Sequence, residues 1–415
     1  MPKIFVQIAS YRDPQLIPTI EDMLSQAKKP KDLVLGICRQ YHPEDGFDNL
    51  DKYRDDSRFK IIDVLYTESK GACWARNQIQ QLYKNEAYTL QIDSHMRFEK
   101  DWDVTLIGMI KQLQSLGVPK PLLTGYVSSF DPDNDPNGRV REPWRMAFDR
   151  FIPEGAVFFL PETIPNWQEI EVPVPARFYS AHFCFTLGKF SKEVQHNPEY
   201  YFHGEEISIG VRAFTHGYDL FHPHRVVIWH EYTRKGRTKQ WDDDKTWGEK
   251  NHKSHLTNRK LFGMDGETQE GHEGPYGFGK VRTLREYEEY AGLHFASRGV
   301  QKYTLDKNYP PNPEYDTEEE FLGSFMSVFK HCIDLSFDRV PEKDYDFWVV
   351  AFHDDNDETI FRKDADINEI NRMMNDPDGY CKIWREFNIK TKPKYWVVWP
   401  YSKSKGWCDR ITGNL

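Results

Sequence analysis

Residues 3–27 read KIFVQIASYRDPQLIPTIEDMLSQA. The first eight residues of this stretch are mostly apolar, and apolar residues then recur at three- and four-residue spacing over about 15–27. This pattern predicts a buried strand, a turn and an amphipathic helix. The same alternation continues, with a second helix at 72–85 and strands at 32–38, 60–66 and 88–92. Strands alternating with helices are typical of a sheet covered by helices, so residues 1–125 predict a doubly wound α/β half.

The pattern loosens after residue 125 and becomes proline-rich before a strand at 226–232 closes the α/β part. We expect a single α/β domain over 1–302. A proline- and acid-rich linker is predicted for 303–318. Strand-like runs such as DFWVVAF (346–352) then predict a small β-rich domain over 319–415.

Composition excludes several classes of protein. The 415 residues carry a net charge of -10, which is the wrong sign for a protein that binds mainly to a nucleic acid. Hydrophobic residues make up 39% of the chain, too many for a disordered protein, but no apolar run is long enough to cross a membrane. The amino terminus runs directly into a strand with no signal-peptide core, so we expect a cytoplasmic protein.

The sharpest chemical feature is the end of the strand YTLQIDSH, 88–95. Residues two apart on a strand point to the same side, so Asp93 and His95 can face one cation. A carboxylate oxygen and an imidazole nitrogen suit a divalent ion such as Mn²⁺. Ligands of open α/β sheets bind at the carboxyl ends of the strands, where this pair lies. A solvated Asp and His at a polar strand end is the alternative.

Four segments, in order along residues 3–265, resemble the cytoplasmic hydroxyproline-directed N-acetylglucosaminyltransferases of glycosyltransferase family 60. They are distantly similar to the mucin-type polypeptide N-acetylgalactosaminyltransferases as well. The segments are KIFVQIASYRDP, GACWARNQI with QIDSHMRF, YFHGEEISIGVRAFTHGYDLFHP, and VVIWHEYTRKGR. The resemblance implies a GT-A-type, Rossmann-like mixed sheet flanked by helices. It also implies a UDP-sugar donor, dependence on Mn²⁺ or Mg²⁺, and transfer with retention of configuration.

The resemblance also assigns residues. Asp93 and His95 match the metal-binding D-x-H of the family, and His230 matches its second, distant metal histidine. Glu205 matches a carboxylate that reaches sugar hydroxyls, and Arg234 matches the arginine of a loop that folds over the diphosphate; these two are the expected catalytic residues. The expected donor-binding residues are Ser10, Tyr11, Arg12, Arg76, Asp93, Ser94, His182 and Glu206.

Several of these matches have a plain structural alternative. Arg76 would also suit a surface helix, and Glu205 and Glu206 would suit the acidic first turn that a helix dipole favours. His182 departs from the family, which has two glycines against the sugar there, and its ring is bulkier than these glycines. Four cations between 234 and 239 are more often a solvated loop than a lid.

The sequence therefore predicts a retaining transferase that moves N-acetylglucosamine from UDP-GlcNAc to a hydroxyl of a protein or saccharide. One alternative is a nucleotidyl- or phospho-transfer enzyme on a similar sheet, which would turn over nucleoside triphosphates. Another is a non-catalytic carbohydrate-binding protein that uses tryptophans of the C-terminal part. The resemblance does not cover that part, for which we expect acceptor recognition or homodimerisation.

Overall fold

The computed structural model describes residues 3–267, 274–377 and 379–415. The chain divides into two compact units, one of residues 1–296 and 303–315 and another of residues 297–302 and 316–415. Residues 303–315, within the segment for which the sequence predicts a linker, therefore belong to the first unit. None of the helices in the described part has both the length and the apolar character that a membrane crossing requires.

The first unit alternates strands and helices, as the sequence predicts for its amino-terminal half. Its strands are β1 (Ile4–Tyr11), β2 (Leu33–Tyr41), β3 (Phe59–Leu65), β4 (Tyr88–Asp93), β5 (Met96–Phe98), β6 (Pro121–Thr124), β7 (Trp144–Phe151), β8 (Val157–Thr163), β9 (Val174–Pro175), β10 (Phe183–Leu187), β11 (Asp219–His222), β12 (Ile228–His230) and β13 (Leu293–His294). Its helices are α1 (Leu16–Gln26), α2 (Ala72–Gln80), α3 (Trp102–Ser115), α4 (Phe190–Glu193), α5 (Glu205–Thr215), α6 (Gln240–Asp243), α7 (Trp247–Phe262) and α8 (Leu284–Ala291), and α9 (Lys302–Leu305) begins at its boundary.

Eight strands form the main sheet, in the order β3-β2-β1-β4-β10-β6-β11-β9. The first four are parallel to one another, whereas β10 lies antiparallel between β4 and β6. The sheet is therefore mixed, and the predicted fold class, an α/β sheet flanked by helices with an additional β-rich part, is confirmed. The chain adds β2 and β3 on one side of β1 before it returns to add β4 on the other side. The carboxyl ends of β1 and β4 thus mark a topological switch point.

Packing of apolar side chains explains why these elements form. Ile8 of β1 and Ile92 of β4 are fully buried, and Leu16, Ile20 and Met23 bury the matching face of α1 in the same cluster. Burial of apolar side chains of this size stabilises the fold by roughly 1.5–3 kcal/mol each. This cluster therefore lies directly beneath the ends of β1 and β4.

The second unit is β-rich. It contains β14 (Gly299–Gln301), α10 (Glu318–Gly323), β15 (Phe325–Ser336), β16 (Tyr345–His353), β17 (Thr359–Arg362), α11 (Ile367–Met374), β18 (Tyr380–Ile389), β19 (Tyr395–Ser402), β20 (Gly406–Trp407) and β21 (Ile411–Asn414). The long pair β15–β18 and the sheet built on β16 and β19 share one apolar core, in which Trp348 and Ile383 are buried. The strand β18 alternates strictly between exposed and buried residues, as expected for a sheet with one solvated face.

Candidate active site

A cleft that is partly open to solvent lies at the carboxyl ends of β1 and β4. Its lining combines residues from these two strands, from α2, from the amino terminus of α5 and from the segment 234–241. Eight residues that the sequence singles out line it: Tyr11, Arg76, Asp93, Ser94, His95, Glu205, His230 and Arg234. The fold thus brings residues from opposite ends of the first 240 positions into one cavity.

Asp93 ends β4, and His95 follows it in the short turn before β5. The two side chains point to the same side, as the strand spacing predicts, and Asp93 Oδ2 lies 3.5 Å from His95 Nε2. His95 is 6% exposed, so the alternative of a solvated strand end is wrong for this residue.

Strand pairing brings His230 to the same place. The strand β12 pairs antiparallel with β5, and this register puts His230 opposite Met96. The amide of Glu231 then donates a hydrogen bond to the carbonyl oxygen of His95 at 3.1 Å. The distant histidine is therefore positioned by backbone hydrogen bonds rather than by its own side chain.

The ligand atoms of Asp93, His95 and His230 all lie within 4.8 Å of one another. Asp93 Oδ2 is 3.5 Å from His230 Nε2, and within the described residues neither ring nitrogen of His230 has a hydrogen-bond partner. Burial lowers the pKa of His230 to about 4, which keeps its imidazole neutral. Burial opposes ionisation of Asp93, but contacts with His230 and Arg76 outweigh it and hold its pKa well below the usual range. An ionised carboxylate, a neutral imidazole and orphaned buried nitrogens fit a divalent cation.

A second layer supports this cluster, and sequence reasoning missed its main member, Asp13. This residue lies in the turn after β1 and is 1% exposed. Its Oδ2 atom accepts hydrogen bonds from the Ser94 hydroxyl at 2.7 Å and from His95 Nδ1 at 2.7 Å. The signal was available, because Asp13 follows β1 at the same sheet edge where Asp93 ends β4.

Arg76 lies in the interior, so its alternative as a surface arginine is wrong. Its guanidinium donates to Asp93 Oδ1 at 2.8 Å and to Glu205 Oε1 at 2.9 Å. The Cys73 thiol, one turn earlier on α2, donates to the other oxygen of Glu205. The helix can approach this closely because Gly71, with φ of +110°, starts it where an added Cβ would lie 3.0 Å from the carbonyl oxygen of Tyr201.

Glu205 and Glu206 are adjacent but lie in different surroundings. Glu205 faces the cleft, whereas Glu206 points behind it, where it accepts from the amide of Ala181 at 2.9 Å and from the Tyr126 hydroxyl at 3.1 Å. Burial raises the pKa of Glu206 to about 7. Among the described residues that line the cleft, Glu206 does not appear, so a direct donor contact stays a prediction.

His182 stacks on the back of His230, with ring centroids 4.3 Å apart and an angle of 19° between the planes. Its Nε2 accepts from the backbone amide of Val127 at 3.3 Å. The described lining of the cleft does not include His182, so this residue buttresses a candidate ligand instead of facing the cavity.

Three predicted donor residues lie at the end of β1. The Tyr11 ring lines the cleft, and its hydroxyl donates to Asp243 Oδ2 at 2.7 Å. Arg12 turns away to form ion pairs with Asp45 at 2.7 Å and Asp243 at 2.9 Å. Ser10 is buried one residue below the cleft, and its hydroxyl has no hydrogen-bond partner within the described residues.

The basic segment covers the cleft. Arg234 places its guanidinium over the rings of Trp241 and Phe202, 5.4 and 5.9 Å from their centroids. Arg237, for which we predicted no role of its own, reaches the floor instead: its Nη1 lies 3.0 Å from Asp13 Oδ2 and 3.0 Å from His95 Nε2. The two arginines therefore occupy the wall and the floor respectively.

A family model described as "Glycosyltransferase (GlcNAc)" matches residues 3–59 and 46–297, more than half of the chain. The chain belongs to this glycosyltransferase family, and the protein is accordingly a sugar-transferring enzyme. The match ends near the boundary of the first unit and leaves the β-rich second unit outside the family model. No curated protein sequence matches the chain.

Several solved structures are similar to the chain. GalNAc-T7 with UDP, GalNAc and Mn²⁺ is 11% identical, and the match covers 99% of this chain and 68% of that one with a TM-score of 0.49. Residues 1–349 of TarS from S. aureus with UDP-GlcNAc are 13% identical, over 58% of this chain and 61% of that one, with a TM-score of 0.37. The mannosyltransferase PcManGT from Pyrobaculum calidifontis with GDP-Man and Mn²⁺ is 12% identical, over 69% of both chains, with a TM-score of 0.38.

Proposed function

We propose that the enzyme transfers N-acetylglucosamine from UDP-GlcNAc to a hydroxyl group of a protein or saccharide, with retention of configuration and with Mn²⁺ or Mg²⁺ as cofactor. The observation that carries this proposal is the convergence of Asp93, His95 and His230 in a cleft at the switch point of the sheet. The description of the family supports N-acetylglucosamine as the sugar.

Asp93, His95 and His230 would hold the cation. These residues offer one oxygen and two nitrogen ligands. This set suits Mn²⁺ better than Mg²⁺, because Mg²⁺ prefers oxygen ligands and retains water. When bound, the ion would supply Lewis-acid neutralisation of the diphosphate charge that grows as the sugar departs.

Residues of the chain would bind the rest of the donor. Arg234, Arg237 and Lys239 line the cleft, and their positive charges suit a diphosphate. The Tyr11 ring and Gln40 at the ends of β1 and β2 offer an aromatic face and an amide for the uridine. The Glu205 carboxylate faces the same cleft and would accept from hydroxyls of the donor sugar or of the acceptor.

The surroundings of Glu205 also bear on the chemical step. Both of its oxygens already accept hydrogen bonds, one from Arg76 and one from Cys73, which suits a positioning carboxylate and not an attacking nucleophile. The acceptor hydroxyl would then attack on the face from which the diphosphate leaves. Its proton would pass to the departing phosphate oxygen, so that the new glycosidic bond keeps the donor configuration.

Calorimetric titration with UDP tests the metal site. We expect wild-type protein to bind UDP at least about 100-fold more tightly with Mn²⁺ than without it, and His230→Ala to lose this difference. His224→Ala is the matched control, because His224 is also a buried histidine but lies outside the described lining of the cleft. UDP affinity that is indifferent to both Mn²⁺ and His230→Ala contradicts the proposal.

The reaction itself needs a second measurement. Incubation with UDP-GlcNAc and a panel of hydroxyl acceptors should give a product whose anomeric proton coupling matches that of the donor. An inverted product excludes the retaining step. Turnover of nucleoside triphosphates in place of UDP-sugars favours the phospho-transfer alternative.

For the second unit, acceptor recognition or dimerisation stays the proposal. Deletion of residues 316–415 separates these two roles, because loss of acceptor recognition changes the acceptor KM and loss of dimerisation changes the sedimentation.

A further inference from the structure

The two candidate metal histidines differ in how their rings are fixed. His230 Nδ1 has no hydrogen-bond partner among the described residues, and this ring packs face to face against His182 and edge-on against Tyr232. His95, in contrast, has a carboxylate at 2.7 Å from its Nδ1 atom. The carboxylate belongs to Asp13, and the sequence separation of 82 residues means that only the fold creates this contact.

Asp13 itself is firmly placed. Its Oδ1 atom accepts from the amide of Gln15 at 2.8 Å, which anchors the carboxylate to the start of α1. Its Oδ2 atom accepts from Ser94 Oγ at 2.7 Å and from Arg237 Nη1 at 3.0 Å, in addition to His95. With 1% exposure, the group has no water-facing alternative orientation.

The position of Asp13 determines which nitrogen of the His95 imidazole carries the proton. A carboxylate next to Nδ1 accepts a hydrogen bond from a ring proton on that side, and Nε2 then carries the lone pair. In the metal-free protein this lone pair faces the guanidinium of Arg237, whose Nη1 atom lies 3.0 Å from Nε2 and also contacts Nδ1. This Nε2 atom is the one that lies 3.5 Å from Asp93 Oδ2 and that belongs to the cluster with His230. Asp13 stands on the opposite edge of the ring and is not a member of that cluster.

We propose that Asp13 is a positioning residue that fixes His95 in its Nδ1-protonated form and thereby keeps Nε2 unprotonated, as a ligand for the divalent cation. This inference rests on the proposed metal-dependent function. A neutral imidazole exchanges its proton between the two nitrogens, and without a partner at Nδ1 part of the population carries the proton on Nε2. The carboxylate disfavours the Nε2-protonated population, which cannot bind a cation through Nε2. It also holds the plane of the ring and makes the ligand nitrogen more basic.

Titration of the metal-free protein with Mn²⁺, followed by electron paramagnetic resonance, tests the first consequence. We expect Asp13→Ala to bind Mn²⁺ about 100-fold more weakly than wild type and Asp13→Asn about 10-fold more weakly, since the amide oxygen can still accept from Nδ1. Asp48→Asn is the matched control, because Asp48 is equally buried and hydrogen-bonded but pairs with Arg39 away from the cluster. It should bind Mn²⁺ as wild type does.

The tautomer gives a second readout that needs neither metal nor activity. In ¹⁵N-histidine spectra of metal-free protein, His95, assigned by loss of its signals in His95→Gln, should show a protonated Nδ1 and a bare Nε2. Asp13→Ala should shift this pair toward the Nε2-protonated form, whereas Asp48→Asn should not.

The outcomes separate the inference from the function on which it rests. If folded Asp13→Ala and Asp13→Asn bind Mn²⁺ as tightly as wild type, or if His95 keeps the same tautomer in Asp13→Ala, the positioning role is wrong while the metal site stands. If wild-type protein itself fails to bind Mn²⁺, the proposed function fails first. Circular dichroism of each variant identifies any loss of affinity that merely reflects unfolding.

Discussion

The floor of the cleft is formed by Asp93, His95 and His230, and backbone hydrogen bonds between strands hold it in place. Residues 234–243 form the cover of the cleft, which side-chain hydrogen bonds hold in place. The floor residues lie at the end of β4, in the turn before β5 and at the end of β12, and the β5–β12 pairing sets their spacing. The cover is fastened by contacts such as Tyr11 to Asp243 at 2.7 Å and Gln240 to Ser69 at 2.9 Å.

This difference separates two tasks. Coordination of a cation tolerates errors of only a few tenths of an ångström, so its ligands profit from a position fixed by the sheet. A cover has to open for a nucleotide to enter, and contacts between polar side chains can be broken one at a time at modest cost. We therefore expect substitutions in the floor to affect folding and metal binding together, and substitutions in the cover to affect mainly the nucleotide.

Arg76→Gln should have the largest effect, because this guanidinium neutralises Asp93 of the floor and the neighbouring Glu205. Its loss leaves Asp93 and Glu205 as neighbouring anions in a buried site, which should cost about 3–5 kcal/mol of unfolding free energy. Mn²⁺-dependent UDP affinity should fall at least about 30-fold, because the carboxylates would move or take up protons. Urea denaturation and calorimetry measure the two effects.

Arg39→Gln is the control for that prediction. Arg39 is also buried and also serves two carboxylates, Asp48 and Asp63, but it lies outside the described lining of the cleft. It should lose stability and keep its UDP affinity. Equal losses of UDP affinity in both variants would mean that the floor responds only to overall stability.

Arg237→Gln and Arg234→Gln sharpen the comparison at the cover. Arg237 lies 3.0 Å from His95 Nε2, so removal of its positive charge should tighten binding of Mn²⁺ alone about 5-fold while it weakens binding of UDP about 10-fold. Arg234 is held over Trp241 and Phe202, so Arg234→Gln should weaken UDP and leave Mn²⁺ unchanged. Separate titrations with Mn²⁺ and with UDP distinguish the two. Weaker Mn²⁺ binding in Arg237→Gln would contradict this account of the cover.

Glu206→Gln should have the smallest effect on binding of UDP and Mn²⁺, but it should clearly change how stability depends on pH. Burial raises its pKa to about 7, above the ordinary value of 4.5, so between these pH values the folded protein retains a proton that the unfolded chain has released. Stability from this group is present at low pH and falls as pH rises through about 7. Glu206→Gln should reduce the loss of unfolding free energy between pH 5 and pH 8 by roughly 1–3 kcal/mol.

The exposed glutamate variant Glu99→Gln serves as the reference for this measurement, since its side chain is 47% exposed. Its stability should follow the wild-type pH profile. If Glu206→Gln does the same, Glu206 is ionised in the folded protein, and its environment behind the cleft is more polar than the contacts indicate.

Local sequence patterns were sufficient for much of the first unit. The alternation of apolar runs and amphipathic segments predicts β1, α1, β2, β3, α2 and β4 to within a few residues, except that α2 ends five residues before the predicted limit. The patterns did not predict the antiparallel insertion of β10 between β4 and β6, because a short apolar strand carries no information about its neighbours. They also missed the strand β18, whose period of two is interrupted by a charged residue, Arg385, on the buried face.

For the candidate site, the sequence by itself determined the residue types: an aspartate and a histidine two positions apart, a second histidine at a strand end and a basic segment after it. Those features depend on chain-local spacing, which the period of a strand fixes. Only the tertiary structure decided that Arg76 is buried between two carboxylates, that Glu206 and His182 face away from the cleft, that Asp13 contacts His95, and that Arg237 reaches the floor. Such contacts join residues dozens to hundreds of positions apart, and their distances follow from strand order and packing, which local spacing does not encode.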